Sequence, residues 1–240
     1  MLGCAHPPQN ADDPFEPINR QIYRFNMAAD AIFIKPPSKI YQAVLPQPIR
    51  SGIYNAFNNV YMLPTVANDV LQGQIGLAFQ DSARFIINSS IGLGGVLDVA
   101  TAMKIPVHYN DLGLTMAKYG IKKSPYIVLP IFGPTTIRDG IGTFGDYTLF
   151  MPFPYIEDPW VLNGILAVHF IDVRARFFET EELMTDALDK YAFIRDAYLQ
   201  NRNALITGTI VQTTNEDSGE LYVEENDEDE AINKAVTGQS

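Results

Sequence analysis

The amino-acid sequence predicts a mostly α-helical protein built from many short helices. Apolar residues recur at helical spacing in several segments, prolines and glycines separate those segments, and few stretches alternate as strands do. The 240-residue chain is 47% hydrophobic and 11% aromatic, a composition that suits a large core and also a membrane interface. We therefore expect one main helical domain over residues 12–208.

The first helix is predicted by a start signal, a periodic face and a stop signal. Acids precede a proline at Asp12-Asp13-Pro14, and Lys35-Pro36-Pro37 is expected to end the helix because proline lacks a backbone donor. The apolar residues between them lie on one helical face: Ile18, Ile22, Phe25, Ala29 and Ile32.

The next elements follow the proline and glycine pattern. One helix is expected from Pro48 to about Val60, a short one from Pro64 to Leu71, and an amphipathic one from Gln74 to Asn88. The stretch from Ile91 to Ala100 predicts a glycine-rich turn that enters a short helix. It lacks the Lys and Ser/Thr of a phosphate loop, and its glycines do not match a dinucleotide fingerprint, which argues against a nucleotide site.

The stretch from Asp111 to Asp139 holds an apolar run, Tyr126 to Phe132, between glycines and prolines. It predicts short secondary-structure elements joined by defined turns, since proline and glycine disfavour a long helix. An apolar helix is expected from Trp160 to Phe178, and another from Thr180 until Gly208 ends it. Strand character is confined to Tyr126–Leu129 and Thr209–Thr213.

Charge is concentrated in the last thirty residues. The net charge is −11, and residues 211–240 hold nine acids and one base. Residues 209–240 are therefore predicted to be an acidic, disordered tail, either solvated or docked on a basic partner. The remainder has no basic patch, so we expect no nucleic-acid partner.

Catalytic and metal motifs are not evident in the sequence. His6, His108 and His169 match no metal-ligand spacing, and there is no GxSxG nucleophile motif. His169, on an apolar helix, is interpreted as a core histidine. The sequence therefore favours a protein that is not an enzyme and has no cofactor or metal.

Cys4 is the only cysteine, so a disulfide framework is excluded. Its context, Met-Leu-Gly-Cys-Ala, resembles the end of a bacterial lipobox, although three residues before Cys4 are fewer than a full signal contains. Cys4 is either an acylated anchor behind a truncated signal or an incidental thiol, and the polar stretch after it favours the anchor. Residues 1–11 are then the anchor and linker, and Ala5 resembles the pattern for sorting to the outer membrane.

Four segments resemble the MlaA (VacJ) family of outer-membrane lipoproteins. They are DPFEPINRQIYRFN from Asp13, INSSIGLGGVLDVA from Ile87, DLGLTMAKYGI with SPYIVLPIFGPTTIRDGIG between Asp111 and Gly142, and IRDAYLQNR from Ile194. The resemblance runs in order from about Asp12 to Arg202. Ser124 departs from the glycine that the family more often has at that position.

The resemblance implies a ring of short amphipathic helices that lies in the plane of the outer membrane around an amphipathic channel, embedded from the periplasmic side. Such a protein removes mislocalised phospholipids from the outer leaflet, passes them to a soluble periplasmic carrier of the MlaC type, and maintains lipid asymmetry. It also associates with a trimeric porin. The alternative is a structural lipoprotein that scaffolds porins without conducting lipid.

The glycine-rich motifs are the expected lipid path. We expect the channel to be lined by Gly92, Leu93, Gly94, Gly95, Asp98, Tyr126, Pro130, Gly133, Pro134, Arg138 and Asp139. Gly140 is expected to form a further turn. Asp98, Arg138 and Asp139 have a second interpretation, as helix caps or internal ion pairs.

Overall fold

A computed structural model describes residues 12–184, 187–208, 213–214 and 221–222. It confirms the mostly helical class. The α-helices are α1 Glu16–Ala29, α2 Lys35–Val44, α3 Gln47–Leu71, α4 Ile75–Ser90, α5 Val99–Ala102, α6 Leu112–Lys118, α7 Ile137–Leu149, α8 Pro159–Leu183 and α9 Lys190–Thr207. The strands are β1 Tyr126–Leu129, β2 Gly133–Thr136, β3 Thr213–Thr214 and β4 Leu221–Tyr222, and Phe153–Tyr155 forms a 3₁₀ turn. Residues 1–11, including Cys4, and most of the acidic tail lie outside the described residues.

The proline pair after α1 does not end the helical run, so the expected stop there is wrong. A π-helical turn, Asp30–Ile34, joins α1 directly to α2, and Pro36 and Pro37 occupy the first turn of α2. Proline removes a backbone donor, and the irregular hydrogen bonding of the π-helical turn lies immediately before the two prolines.

The predicted break before Pro64 is also wrong, because α3 is one helix of 25 residues with Pro64 inside it. Side chains bond to backbone carbonyls near the proline. Thr65 Oγ1 donates to the Tyr61 carbonyl at 3.2 Å, and Asn68 Nδ2 donates to the Pro64 carbonyl at 2.8 Å. These bonds give two carbonyls beside the proline a side-chain donor, in a region where proline removes a backbone donor.

The last two helices differ from expectation in their boundary. Thr180 lies inside α8, so the predicted helix start at Thr180 is wrong. Instead α9 begins after Asp189, whose side chain accepts from the Ala192 amide and caps the helix. The expected end at Gly208 is confirmed, and this glycine has a φ of 74°.

A β-hairpin forms from the apolar run and the residues after it. The expected strand Tyr126–Leu129 is confirmed, and it pairs antiparallel with β2, with Tyr126 opposite Thr136. Strand β2 was missed because Gly133 and Pro134 read as turn residues. Gly140 lies in α7 rather than in a turn, which corrects that expectation.

The elements contact one another in a closed circuit. From α1 the circuit passes through β1, β2, α7, α6, α3, α8 and α2, and the π-helical turn returns it to α1. A ring of helices requires such a circuit. The hairpin, α6 and α7 make up one side of it, and the long helices α3 and α8 make up another.

Glycines let α6 and α7 approach at backbone distance. A Cβ on Gly142 would lie 2.5 Å from the Gly113 backbone nitrogen, and one on Gly145 would lie 2.6 Å from Leu112 Cδ2. A contact this close leaves no room for a side chain at Gly142.

We expect Gly142→Ala to destabilise the protein by about 1–3 kcal/mol, because the added methyl meets backbone that cannot move aside. Gly164→Ala in α8 is the matched control, since its Cβ would meet nothing within 4 Å. It should be neutral or stabilising by about 0.5–1 kcal/mol because alanine favours helix interiors. Thermal unfolding in detergent measures both variants, and equal melting temperatures would contradict the close packing.

Candidate functional site

The described residues have a polar interior and an apolar surface. Eighteen buried residues are polar or charged and eleven are apolar, whereas 34 large apolar side chains are exposed. Water-soluble domains show the opposite preference in their interiors, and extended apolar surface marks a membrane or protein contact. The arrangement suits a protein surrounded by an apolar medium. Within the described part of the chain, no helix has the length and apolar character needed to cross a membrane.

The buried charges hold the circuit together. Asp139 in α7 accepts from Arg138, from Arg202 of α9 at 2.8 Å and from Tyr198 at 2.8 Å. Arg202 also bonds Asp111, the cap of α6, at 2.7 Å. Burial by itself raises the pKa of Asp139, but the hydrogen bonds and charge of Arg202 outweigh it and leave that pKa below its ordinary value.

Other junctions are completed by hydrogen bonds that involve no Arg or Lys. Asn19 of α1 donates to the Tyr126 carbonyl at 3.2 Å and accepts from the Val128 amide at 2.9 Å, which fixes α1 on β1. Asp146 of α7 accepts from Asn68 of α3 at 2.8 Å and from the Leu112 amide at 2.9 Å. These bonds join α3, α6 and α7 directly.

Asp98 lies under the glycine-rich turn and acts as an internal cap. It accepts from the Thr101 amide at 3.0 Å, from Arg84 at 2.9 Å and from Asn88 at 2.9 Å. Burial raises the pKa of Asp98 by itself, but the Thr101, Asn88 and Arg84 interactions together hold it below its ordinary value. Asp98 therefore fixes the turn over α4.

Part of the expected channel lining is buried in the protein interior. Tyr126 is 1% exposed and packs against Tyr191 and Tyr198, while Arg138 and Asp139 are buried in their own ion pair. Asp98 differs from these three residues, because it is only partly buried and lines a small pocket with Asn58 and Asn59. A role in the lipid path stays a prediction for all four residues.

Pro130, Gly133 and Pro134 lie at or beside the tip of the β-hairpin. The Ile131 amide at this tip donates to Asn26 Oδ1 at 2.8 Å. Phe132 is 72% exposed and meets Phe170 of α8 edge-on at 6.1 Å between ring centroids. The hairpin tip therefore reaches α8, and a role in the lipid path stays a prediction for these residues.

An open apolar groove of about 760 Å³ separates α3 from α8. Trp160, at the start of α8, is 87% exposed beside it, and Val96 of the glycine-rich turn contributes to its wall. The groove is lined entirely by apolar residues and glycines: Pro48, Ile49, Gly52, Ile53, Ala56, Phe57, Val96, Trp160, Val161, Gly164, Ile165 and Val168. Its size is within the range of pockets that bind small molecules.

A polar face lies on the same helix beside this groove. Asn55, Asn58 and Asn59 of α3 line a small pocket of about 20 Å³, which we call the polar pocket. The remaining lining residues are Arg84, Asn88, Asp98, Tyr109, Met62 and Val107. Residues three and four apart share a helical face, so the asparagines form one stripe and the groove residues another. We call these two neighbouring surfaces the groove and the asparagine stripe.

The glycine-rich turn crosses α3 between the two surfaces. A Cβ on Gly95 would lie 2.4 Å from Asn59 Cβ, and one on Gly52 would lie 2.9 Å from Val96 Cγ1. Leu93, Gly94 and Gly95 all have positive φ values. The turn therefore touches the asparagine stripe with its glycines and the groove with Val96. An apolar cleft beside a polar stripe has the two chemical faces of an amphiphile.

Sequence reasoning missed the groove and the asparagine stripe. The charge-free window from Ser51 to Asn68 holds the necessary signal, because asparagines at helical spacing in it define a polar face. His169, expected in a core, is partly buried and lies 3.1 Å from Tyr61 Oη across the α3–α8 contact, where burial lowers its pKa.

The model of the MlaA lipoprotein family matches residues 11–205. The chain belongs to the MlaA family. A relative in Escherichia coli strain K12, the intermembrane phospholipid transport system lipoprotein MlaA, is 29% identical over 243 residues, covering 97% of this chain and 90% of its own. The Haemophilus influenzae protein of the same name is 33% identical over 210 residues and covers 84% of each chain.

The fold is also shared with a solved MlaA-like structure. That structure, described as the "structural basis for maintenance of bacterial outer membrane lipid asymmetry", is 29% identical and aligns with a TM-score of 0.71. The alignment covers 81% of this chain and 98% of the other. An uncharacterised Rickettsia bellii protein is 34% identical over 196 residues, covering 81% of this chain and 76% of its own.

We expect Arg202→Ala to destabilise the protein by about 3–5 kcal/mol, because it leaves Asp139 buried without its main partner. The loss should shrink as the pH approaches about 4, where a proton can neutralise the carboxylate. Chemical denaturation of the detergent-solubilised protein between neutral and acidic pH measures both effects.

The matched control is Arg20→Ala, which removes a solvent-exposed pair with Asp189 and should cost at most about 1 kcal/mol. A similar, pH-independent loss in both variants would contradict the proposed role of the buried network.

Proposed function

We propose that this protein removes phospholipids that have strayed into the outer leaflet of the bacterial outer membrane and passes them to a periplasmic lipid carrier. It thereby maintains the lipid asymmetry of that membrane. The observation that carries this proposal is the groove beside the asparagine stripe, with the glycine-rich turn between them. Membership of the MlaA family, whose named relatives belong to a phospholipid transport system, supports the same function.

The apolar surface supports a location within the membrane. Exposed Phe33 lies in the π-helical turn, Phe79 in α4 and Phe144 in α7, so the apolar surface is spread over separate elements. Hydrocarbon cannot satisfy backbone polar groups, and the internal hydrogen bonds of the circuit meet that requirement. We propose a ring in the plane of the outer membrane, embedded from the periplasmic side and anchored through acylated Cys4.

The proposed path separates the two halves of the lipid. Acyl tails occupy the groove between α3 and α8, where Ile53 and Val168 offer only apolar contacts. The headgroup follows the asparagine stripe, where Asn55 and Asn58 line the polar pocket and amide groups can bind phosphate and amine groups alike. The glycine-rich turn, including Gly92 and Leu93, guides the lipid between these surfaces.

Moving a lipid along this path breaks no covalent bond, so the protein acts as a transport component rather than an enzyme and needs no cofactor for it. A soluble carrier receives the lipid on the periplasmic side. A trimeric porin holds the ring in the membrane. A lipid moves down the gradient that these partners impose.

Gly164 offers a sharp test of the path. It lies in α8 on the wall of the groove, and a Cβ there would meet nothing within 4 Å. Gly164→Trp therefore fills the groove without a clash at its own Cβ. A bulky residue at Gly95 would instead collide with Asn59 and adopt a strained backbone, which disturbs the fold as well as the path.

In cells that lack the protein, we expect wild type to lower surface-exposed phospholipid and Gly164→Trp to lose most of that activity. The control is Gly76→Trp in α4, where a Cβ also meets nothing within 4 Å and no groove is present. Labelling of lipid amines with an impermeant reagent measures the outer leaflet. Membrane abundance and porin co-purification show whether each variant is assembled.

Full activity of Gly164→Trp would contradict the groove as the conduit and favour a porin scaffold that conducts no lipid. An unchanged outer leaflet in the deletion strain would contradict the transport function itself. Retained porin binding by an inactive Gly164→Trp supports a blocked path within an assembled protein.

A further inference from the structure

Two buried aspartates and a histidine converge where α3, α4 and the segment before α6 meet. Asp69 of α3 and Asp81 of α4 are 0% exposed, and the His108 side chain is 14% exposed. His108 Nδ1 lies 3.0 Å from Asp81 Oδ2 and 3.6 Å from Asp69 Oδ1. One potential ligand atom of each residue lies within 4.8 Å of the other two.

The two aspartates differ from the other buried aspartates in their hydrogen bonding. Asp69 Oδ2 and Asp81 Oδ1 are buried and have no hydrogen-bond partner. Four other buried aspartates receive a donor on both carboxylate oxygens: Asp13, Asp139, Asp146 and Asp172. An unsatisfied buried carboxylate oxygen is costly, so this cluster calls for a positive group that the side chains do not supply.

The charge of the cluster is also unbalanced. In the part of the chain described, the ion pairs of Asp69 and Asp81 involve no Lys or Arg, and His108 is their shared basic neighbour. The closest Arg along α4, Arg84, is engaged by Asp98 and by the Ile105 carbonyl. Burial, together with the facing Asp81 carboxylate, raises the pKa of Asp69. The cluster therefore attracts a proton or a cation.

We propose that Asp69, Asp81 and His108 Nδ1 form a binding site for a divalent transition-metal ion of the Zn²⁺ type. Ligands of a tetrahedral zinc ion bind at about 2.0–2.2 Å and are therefore about 3.3–3.6 Å from one another. His108 Nδ1 lies at comparable distances, 3.0 and 3.6 Å, from Asp81 Oδ2 and Asp69 Oδ1. The second oxygen of each carboxylate, Asp81 Oδ1 and Asp69 Oδ2, is the unpartnered one and is the further acceptor that a cation would satisfy. Ca²⁺ takes about six to eight oxygen ligands, and Mg²⁺ keeps several waters, so this set of one nitrogen and two carboxylates fits them less well.

Surrounding groups support a site that can be filled and held. Asn110 Nδ2 donates to Asp69 Oδ1 at 2.9 Å and to Gln74 Oε1 at 3.2 Å, which orients the carboxylate. His108 also lines a pocket of about 440 Å³ between α4, α6 and the end of α9, which gives an ion a route and a water ligand a place. The bound ion fastens α3, α4 and the segment at His108. This role is independent of the proposed lipid path.

The test uses the full chain, purified in detergent with a tag that contains no histidine and stripped with a chelator. ZnCl₂ is titrated by calorimetry, bound metal is counted by elemental analysis, and the melting temperature is recorded with and without Zn²⁺. We expect one Zn²⁺ per chain and a melting temperature several degrees higher with the ion. Asp81→Asn and His108→Gln should weaken binding at least about 10-fold and abolish the shift.

Asp172→Asn is the control, because it removes a buried carboxylate of α8 outside the cluster and should leave one Zn²⁺ bound. Circular dichroism of each chelated sample shows that the variants are folded. Equal Zn²⁺ binding in Asp81→Asn and wild type would overturn the proposal by placing the ion elsewhere. Wild type that binds no Zn²⁺, with Asp81→Asn more stable than it, would also overturn the proposal and identify a proton-sharing carboxylate pair.

Discussion

The structure depends on satisfying its polar groups internally while its surface stays apolar. Hydrocarbon offers no hydrogen bonds, so each backbone and side-chain polar group that faces it must find a partner within the protein. The junctions of the circuit show how this is done. Asn19 bonds α1 to β1, Asp146 bonds α7 to α6 and α3, and Asp172 accepts from Tyr41 to bond α8 to α2. Buried charged groups whose oxygens or nitrogens are all hydrogen-bonded thus serve to join the helices.

The contact between α3 and α8 differs from these junctions. Two polar contacts, Tyr61 with His169 and Arg176 with the Arg50 carbonyl at 3.2 Å, accompany an open groove lined by apolar side chains. An acyl chain that enters the groove separates only apolar side chains. It therefore leaves no buried polar group without a hydrogen-bond partner. The asparagine stripe on α3 then supplies polar contacts one helical face away. The same long helix thus carries both surfaces of the proposed path, and Thr65 and Asn68 donate to the Tyr61 and Pro64 carbonyls beside its internal proline.

Local periodicity was sufficient to predict most elements, because amphipathic faces and caps are encoded in neighbouring residues. The face from Ile18 to Ile32, the glycine-rich turn before α5, the strand from Tyr126 and the end at Gly208 follow from such signals. Two of the predictions that failed were the helix ends placed at prolines. Pro36 and Pro64 lie within helical runs, because tertiary context overrides their local propensity.

The site was harder to predict, because burial depends on distant contacts. Asp98, Arg138 and Asp139 stand beside glycine-rich turns in sequence, and both a lipid contact and an ion pair are compatible with that position. Only the placement of Arg84 and Arg202 distinguishes them. Asp69, Asp81 and His108 are far apart in the chain, so no spacing rule brings them together. The groove likewise requires α3 and α8, which are separated in the chain by residues 72–158.

Photocrosslinking at position 58 is the most direct test of a lipid path along α3, because Asn58 lies on the asparagine stripe rather than on the apolar exterior. A photoreactive amino acid replaces Asn58 in native membranes that contain phosphate-labelled phospholipid. If lipid follows this path, we expect a covalent lipid adduct at this position and its loss when Gly164→Trp fills the groove. The absence of an adduct, or an adduct unaffected by Gly164→Trp, would contradict a lipid path along α3.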